Sequence, residues 1–296
     1  MANVNWRENV LCGRMETLLP RDAGLARSAL TGPSFPPQIG VHHCGSPTNL
    51  IGLPHHFTAG QFSGQTVRAQ LHELQRPKFG RRFGAVDRRA LDDPPAVLLR
   101  LFNVYNAGTE EQWEQEVQNY NEIQLPGLLC MADLFEIPRT VSPLMDSITP
   151  SSPNHICVAA YKLPSDTLVL VDGSPVTAGS KRTTALFGSK FIEPHKIGLA
   201  GRNQNQKQII FTFSDLAVRL EGNFILRYRF LDIFSSPCAG GSAKILAECY
   251  GGPFKMYSSK EAPSLKESTT LTKCLSYHGV PVKVRQKPRS PRKSKN

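Results

Sequence analysis

The side chains of this chain whose type and spacing suit chemistry are cationic, and the chemistry they suit is the binding of a polyanion. Between Arg76 and Arg89, six basic residues (Arg76, Lys78, Arg81, Arg82, Arg88 and Arg89) stand against one acid, Asp87. From Lys283 to Asn296 there are seven basic residues and no acid. Over 296 residues, 35 Lys and Arg face 24 Asp and Glu, a formal net charge of +11. Those two stretches account for the whole excess, so the rest of the chain is close to neutral. Two basic patches on a neutral body point to a localised anionic partner rather than a generally cationic surface. The plainer reading is a loop whose cations pair with acids elsewhere in the domain, and a tail that is only a disordered end.

The signatures of catalysis are absent. The run Gly173 to Gly179-Ser180-Lys181 resembles a phosphate-binding loop, but it has five residues between the glycines and Ser180 before the lysine, so the cradle fails. His72-Glu73 starts like a zinc-protease helix, but Arg76 stands where the second histidine is needed. Asp215 and Glu221 are too far apart in sequence to define a carboxylate pair. Cys130, Cys157, Cys249 and Cys274 lie in apolar surroundings and read as buried small hydrophobes. His42-His43-Cys44 and His55-His56 are of zinc-binding type, but their spacing fits no finger or ribbon. No enzyme activity, cofactor or metal is expected. Seven cysteines, an odd number without a C-x-x-C pair, do not form a disulfide scaffold. No apolar run approaches the roughly 18 residues of a membrane helix, and Arg7, Glu8, Arg14 and Glu16 break any secretory signal. The expectation is a soluble intracellular chain with reduced thiols and no membrane contact.

The elements that must position the cations are mostly strands. Residues 1–62 hold six Pro and seven Gly, with no formal charge between Arg27 and Arg68, and read as a disordered segment. Strands are expected at 71–74, 96–102, 155–163, 167–172, 208–213, 223–234, 244–250, 254–258 and 280–285. The 155–163 and 167–172 strands are expected to pair across residues 164–166. In the 223–234 strand, Phe224, Leu226, Tyr228 and Phe230 share one face, while Arg227 and Arg229 point to the other. The 96–102 strand is apolar enough to be covered on both faces. Two helices are expected: 109–120, from a Thr109/Gln112 capping box with Trp113, Val117 and Tyr120 on one stripe, and 268–277. Many strands with helices confined to connections indicate an all-β sandwich. The expected organisation is a segment 1–62, a β-sandwich domain 63–287 and a basic tail 288–296.

Three blocks carry a family resemblance. The first is Gln75-Arg76-Pro77-Lys78, Phe83-Gly84 and Asp87-Arg88-Arg89 running to Asp92-Asp93-Pro94-Pro95. The second is Ile210-Phe211-Thr212-Phe213 with Asp215-Leu216-Ala217-Val218-Arg219 and Glu221-Gly222. The third includes Pro253-Phe254, Tyr257-Ser258, Lys260, Pro263, Glu267-Ser268-Thr269, Gly279-Val280 and Val284-Arg285. In order and spacing they resemble the velvet family of fungal regulators, over about residues 68–287. Departures from the pattern fall at Asp93, Ser214, Ala217 and Glu261-Ala262.

The resemblance implies an immunoglobulin-like sandwich similar to the Rel-homology domain. It also implies a nuclear regulator of fungal development, sporulation and secondary metabolism. Double-stranded DNA, a second velvet-family protein and a nuclear methyltransferase-like regulator are its implied partners. In the matched loop, Lys78, Arg81, Arg82, Arg88 and Arg89 are the expected DNA contacts, with Asp87 and Asp92 orienting the arginines. Asp215, Arg219, Glu221 and Gly222 match the central motif, where Arg219 and Glu221 are expected to fix the turn before the long strand. Arg227 and Arg229 are expected on an exposed sheet face. Arg289, Arg292, Lys293 and Lys295 suit a nuclear localisation signal, and Ser290-Pro291 a phosphorylation site that weakens it. The competing reading is a protein-interaction subunit whose partner supplies the DNA contact.

Overall fold

The computed structural model describes residues 50–84, 88–138, 163–198, 207–235 and 244–288. In chain order their strands are β1 (His55–His56), β2 (Thr66–Gln75), β3 (Phe79–Arg81), β4 (Ala96–Tyr105), β5 (Trp113–Glu116), β6 (Leu128–Glu136), β7 (Thr167–Val171) and β8 (Ser174–Thr177). There follow β9 (Leu186–Phe187), β10 (Phe191–Ile192), β11 (His195–Gly198), β12 (Lys207–Thr212), β13 (Ala217–Val218), β14 (Gly222–Asp232), β15 (Ile245–Tyr250) and β16 (Phe254–Tyr257). One α-helix, α1 (Thr270–Tyr277), and two single 3-10 turns complete the elements.

Two six-stranded sheets face each other. The first runs β1-β2-β4-β12-β11, with β5 also on β4, and the second runs β10-β6-β14-β16-β3, with β15 also on β14. Strand alternation explains the layering. Phe224, Leu226, Tyr228 and Phe230 point inward from β14 to meet Val97, Leu99 and Leu101 of β4 and Phe211 of β12 in one core. Burying each such side chain contributes about 1.5–3 kcal/mol. The second face of β4 is covered as well, because α1 packs Cys274 and Leu275 onto Ala96, Leu98 and Ile210. On the far side of the other sheet, the β7–β8 hairpin lays Val169, Val171 and Val176 on Phe135 and Ile225. The molecule is therefore the all-β sandwich that the pattern implied.

Three expectations are corrected. Residues 109–120 form no helix: Asn106 (φ 52°) and Gly108 (φ 82°) turn the chain into the β4–β5 hairpin. Gln112 does reach back, but to the Gly108 N–H at 3.0 Å, closing a turn rather than capping a helix. The spacing misled because positions i and i+4 share a face in a strand as well as in a helix. Second, 280–285 is not a strand. Pro281 has no N–H to give a ladder, and Val280 and Val282 instead pack beneath α1. Third, Phe57 and Phe62, placed with the N-terminal segment, are buried in the main core. The expected partner of 167–172, the 155–163 strand, lies outside the described residues except for residue 163. Among the described residues β7 pairs with β8 across Asp172 (φ 48°) and Gly173 (φ 78°), the positive-φ pair that a tight hairpin turn favours.

Candidate nucleic-acid interface

The basic loop connects β2 to β4, and its described residues are tied down at both ends. The Lys78 and Phe79 N–H groups both donate to the Asp92 carbonyl, at 2.7 and 3.0 Å, and the Leu91 N–H donates to the Leu216 carbonyl at 2.7 Å. Within the loop, β3 joins β16 in parallel, placing Phe79 opposite Lys255 and Arg81 opposite Tyr257. Gly80 is required there, because a Cβ would stand 2.3 Å from the Met256 sulfur. The cations thus rise from a braced edge at one end of the sandwich, a rigid base for a reading loop.

Lys78, Arg82, Arg88 and Arg89 are exposed, and Arg81 is half-buried. Three of these cations meet acids. Lys78 Nζ lies 2.9 Å from Asp93 Oδ2, Arg82 Nε 2.7 Å from Glu221 Oε1, and Arg88 Nη2 3.0 Å from Asp215 Oδ2. The loop and the central motif are therefore one charged cluster, a link that the separate sequence blocks did not show. Asp215 holds more than the arginine: its Oδ1 accepts the Ser189 N–H at 2.9 Å. Gly188 (φ 107°) leaves the room for this, since a Cβ would sit 2.5 Å from the Asp215 carbonyl and 2.9 Å from Arg88 Nη2.

The central motif supports the cluster in a different way from the turn-fixing pair expected. Arg219 does not bond Glu221. Its guanidinium lies over the Phe187 ring at 4.8 Å, with Phe83 edge-on to Phe187 at 5.2 Å. The β9–β13 pair carries this stack, and Gly222 (φ 139°) starts β14 in a backbone region that only glycine adopts readily. Asp92 does not orient Arg88 or Arg89 in the way expected; its carboxylate pairs with Arg285, whose N–H bonds Ser268 Oγ at 3.0 Å. Asp87 lies outside the described residues, as do Arg289, Ser290, Arg292, Lys293 and Lys295.

Arg227 and Arg229 are not displayed for a partner. Both place Nη2 on Asp133 Oδ2, at 2.7 and 2.8 Å, and Lys181 Nζ reaches Oδ1 at 2.9 Å. Burial alone pushes the Asp133 carboxyl up, but hydrogen bonds from Arg227 and Lys181 and the charges of Arg227 and Arg229 bring it down to about 2. Sequence reasoning missed Lys255 as a member of the loop's surface. It is exposed. Only the parallel β3–β16 pairing brings Lys255 beside the loop, and no local signal reports such a pairing. Lys78 and Lys255 also line an open cleft of about 470 Å³ with Asp172, Ser174, Asn223 and Phe254. Its titratable groups are Asp172 and the two lysines. Cys130, Cys249 and Cys274 are buried free thiols. Among the described residues, no three His, Cys, Asp or Glu side chains converge as a metal site. Among them also, no helix is long and apolar enough to cross a membrane.

The Velvet factor family model matches residues 69–289, from β2 past the end of α1. A probable velvet family sexual development regulator of Schizophyllum commune is 44% identical over 236 residues, 80% of this chain and 79% of that protein. Another, of Laccaria bicolor, is 40% identical over 272 residues, 83% of this chain and 78% of that protein. Velvet complex subunit 2 of Botryotinia fuckeliana is 37% identical over 89 residues, 26% of this chain and 20% of that protein. The match takes in the braced loop, the central motif and most of both sheets, and on it the chain belongs to the velvet family of fungal developmental regulators.

Proposed function

We propose that this chain is a nuclear, DNA-binding regulator of development that works with a second velvet-family chain. The observation that carries the reading is the cluster of exposed cations, Lys78, Arg82, Arg88, Arg89 and Lys255, raised on one braced end of the sandwich. The ion pairs to Glu221 and Asp215 do not argue against it. These two exposed pairs hold about 0.2–1 kcal/mol, less than a desolvated arginine–phosphate or arginine–guanine contact offers, so DNA can displace their carboxylates. Asp93 is buried, so Lys78 keeps that partner and offers DNA only the exposed side of its ammonium. The basic residues 289, 292, 293 and 295 supply the import signal in this reading, with phosphorylation of Ser290 lowering its charge.

The test is a salt titration of duplex binding by the full chain, beside an Arg82, Arg88 and Arg89 triple alanine variant. Five ionic contacts give a log–log salt slope of about −4 to −5, and the variant lowers its magnitude by about 3. Wild-type binding with no salt dependence, or a variant that binds as tightly, overturns the reading. A second reading, an interaction subunit that leaves DNA to its partner, draws on two observations. Three loop cations already have acids, and one relative is named a velvet complex subunit. Absence of duplex binding by the wild-type chain alone, restored on adding a velvet partner, decides for it.

A further inference from the structure

The end of the sandwich opposite the basic loop is built with the reverse charge. The basic loop enters β4 at Ala96 and the β4–β5 hairpin leaves it at Tyr105, so the two lie about 30 Å apart along a ten-residue strand. Between Arg100 and Arg139 the sequence holds no Lys, Arg or His, while Glu110, Glu111, Glu114, Glu116 and Glu122 all fall there. On a chain of net charge +11 this is a local reversal. Arg68 takes Glu114 at 2.7 Å and Arg100 takes Glu116 at 2.5 Å. Glu110 and Glu111, at the exposed turn, have no ion pair among the described residues.

Two further features occupy the same hairpin. Tyr105 and Trp113 stack with ring centroids 4.1 Å apart and an interplanar angle of 15°, yet they are 40% and 50% exposed. Neither ring belongs to the buried core. The outer edge of β5 also has no strand neighbour among the described residues: β4 is its single partner. One of its outward groups, the Glu116 carbonyl, is capped by the Gln118 side chain at 2.9 Å.

An open strand edge accepts an extended peptide backbone, a stacked tyrosine–tryptophan pair accepts a cation on its face, and exposed glutamates select for positive charge. Nucleic acid is repelled by the same glutamates, and a neutral apolar segment leaves them uncompensated. We propose that the β4–β5 hairpin is a docking surface for an extended lysine- and arginine-rich peptide segment of another molecule. This goes beyond the DNA reading and does not depend on it. The chain contains a segment of that chemistry, residues 283–296, whose Arg285 is held on Asp92 at the basic end.

The probe is a fluorescent peptide of residues 283–296, titrated by anisotropy against the full chain. Trp113 emission, read in a Trp6→Phe background, is the second signal, since the chain has two tryptophans. The expected result is saturable, salt-weakened binding that perturbs Trp113. Affinity falls about tenfold or more in Trp113→Ala and in Glu110→Gln/Glu111→Gln, and a peptide with its Lys and Arg changed to Gln does not bind. The glutamate variant changes only exposed turn positions, so it keeps the test decisive if Trp113→Ala misfolds. Duplex binding by the glutamate variant, measured alongside, separates this surface from the DNA loop. No saturable binding by the full chain overturns the proposal, and so does equal binding by the glutamate variant.

Discussion

Tyr228, on the inner face of β14, donates its hydroxyl to Oε1 of Glu73 on β2 at 2.9 Å, a polar tie between the two sheets through the middle of the core. The Gly252 N–H donates to the other carboxylate oxygen at 2.7 Å. Gly251 must lack a side chain for this, because a Cβ would stand 2.2 Å from Glu73 Oε1. Tyr228→Phe keeps the ring packing and removes one of these two donors. A buried acceptor left short costs about 1–3 kcal/mol, which urea denaturation of the variant should read at neutral pH.

The same carboxyl gives the domain a pH dependence of unusual sign. Burial pushes Glu73 above its ordinary 4.5, against the Gly252 and Tyr228 hydrogen bonds and the Arg76 charge. The folded chain therefore keeps this proton at pH values where the unfolded chain has released it. The contribution of Glu73 is fully present below 4.5 and is lost as pH rises through the folded value. Glu73→Gln has no proton to lose. The stability of Glu73→Gln relative to wild type should therefore improve between about pH 4 and pH 7, and a difference that stays flat removes the argument.

Asp133 acts in the opposite direction. Its folded value near 2 lies below the ordinary 3.8, so its contribution is present above 3.8 and lost as pH falls toward 2. Asp133→Asn leaves Arg227, Arg229 and Lys181 without their shared anion. Breaking a mostly buried pair costs about 3–5 kcal/mol, and the exposure of Lys181 places this variant at the lower end. The expected result is a less stable protein whose remaining stability falls less on acidification from about pH 4 to pH 2.

How much of this was legible in the sequence depended on whether the signal was local. The alternation of Phe224, Leu226, Tyr228 and Phe230 located β14 to within two residues at its C-terminal end, and the apolar run at 96–102 announced a strand covered on both faces. The 109–120 segment failed because Trp113 and Val117 satisfy both periods, so that Asn106 and Gly108 decided the outcome. The basic loop was visible as composition. Its pairing with Glu221 and Asp215 was not, because those acids lie more than a hundred residues away and arrive through tertiary contacts. Arg227 and Arg229 looked free for the same reason: Asp133 faces them only through the β6–β14 register.

The two acids that meet the loop arginines predict opposite effects on duplex binding. Glu221 is half-exposed and accepts from Arg82 alone among the described residues, so it holds that guanidinium without shaping the backbone. Glu221→Gln removes both the competitor for Arg82 and a charge that repels phosphate. An exposed pair holds about 0.2–1 kcal/mol, so duplex affinity should rise by up to about fivefold. Asp215 instead joins Arg88 to the Ser189 backbone and hydroxyl, at 2.9 and 3.3 Å, and so sets where Arg88 stands. Asp215→Ala should lower affinity despite removing a negative charge. Electrophoretic titration of both variants at one low salt concentration makes the contrast direct. Tighter binding by Glu221→Gln with weaker binding by Asp215→Ala identifies Arg82 and Arg88 as DNA contacts. Unchanged affinity in both variants assigns these ion pairs to the fold alone and moves the search for the DNA surface toward Lys255.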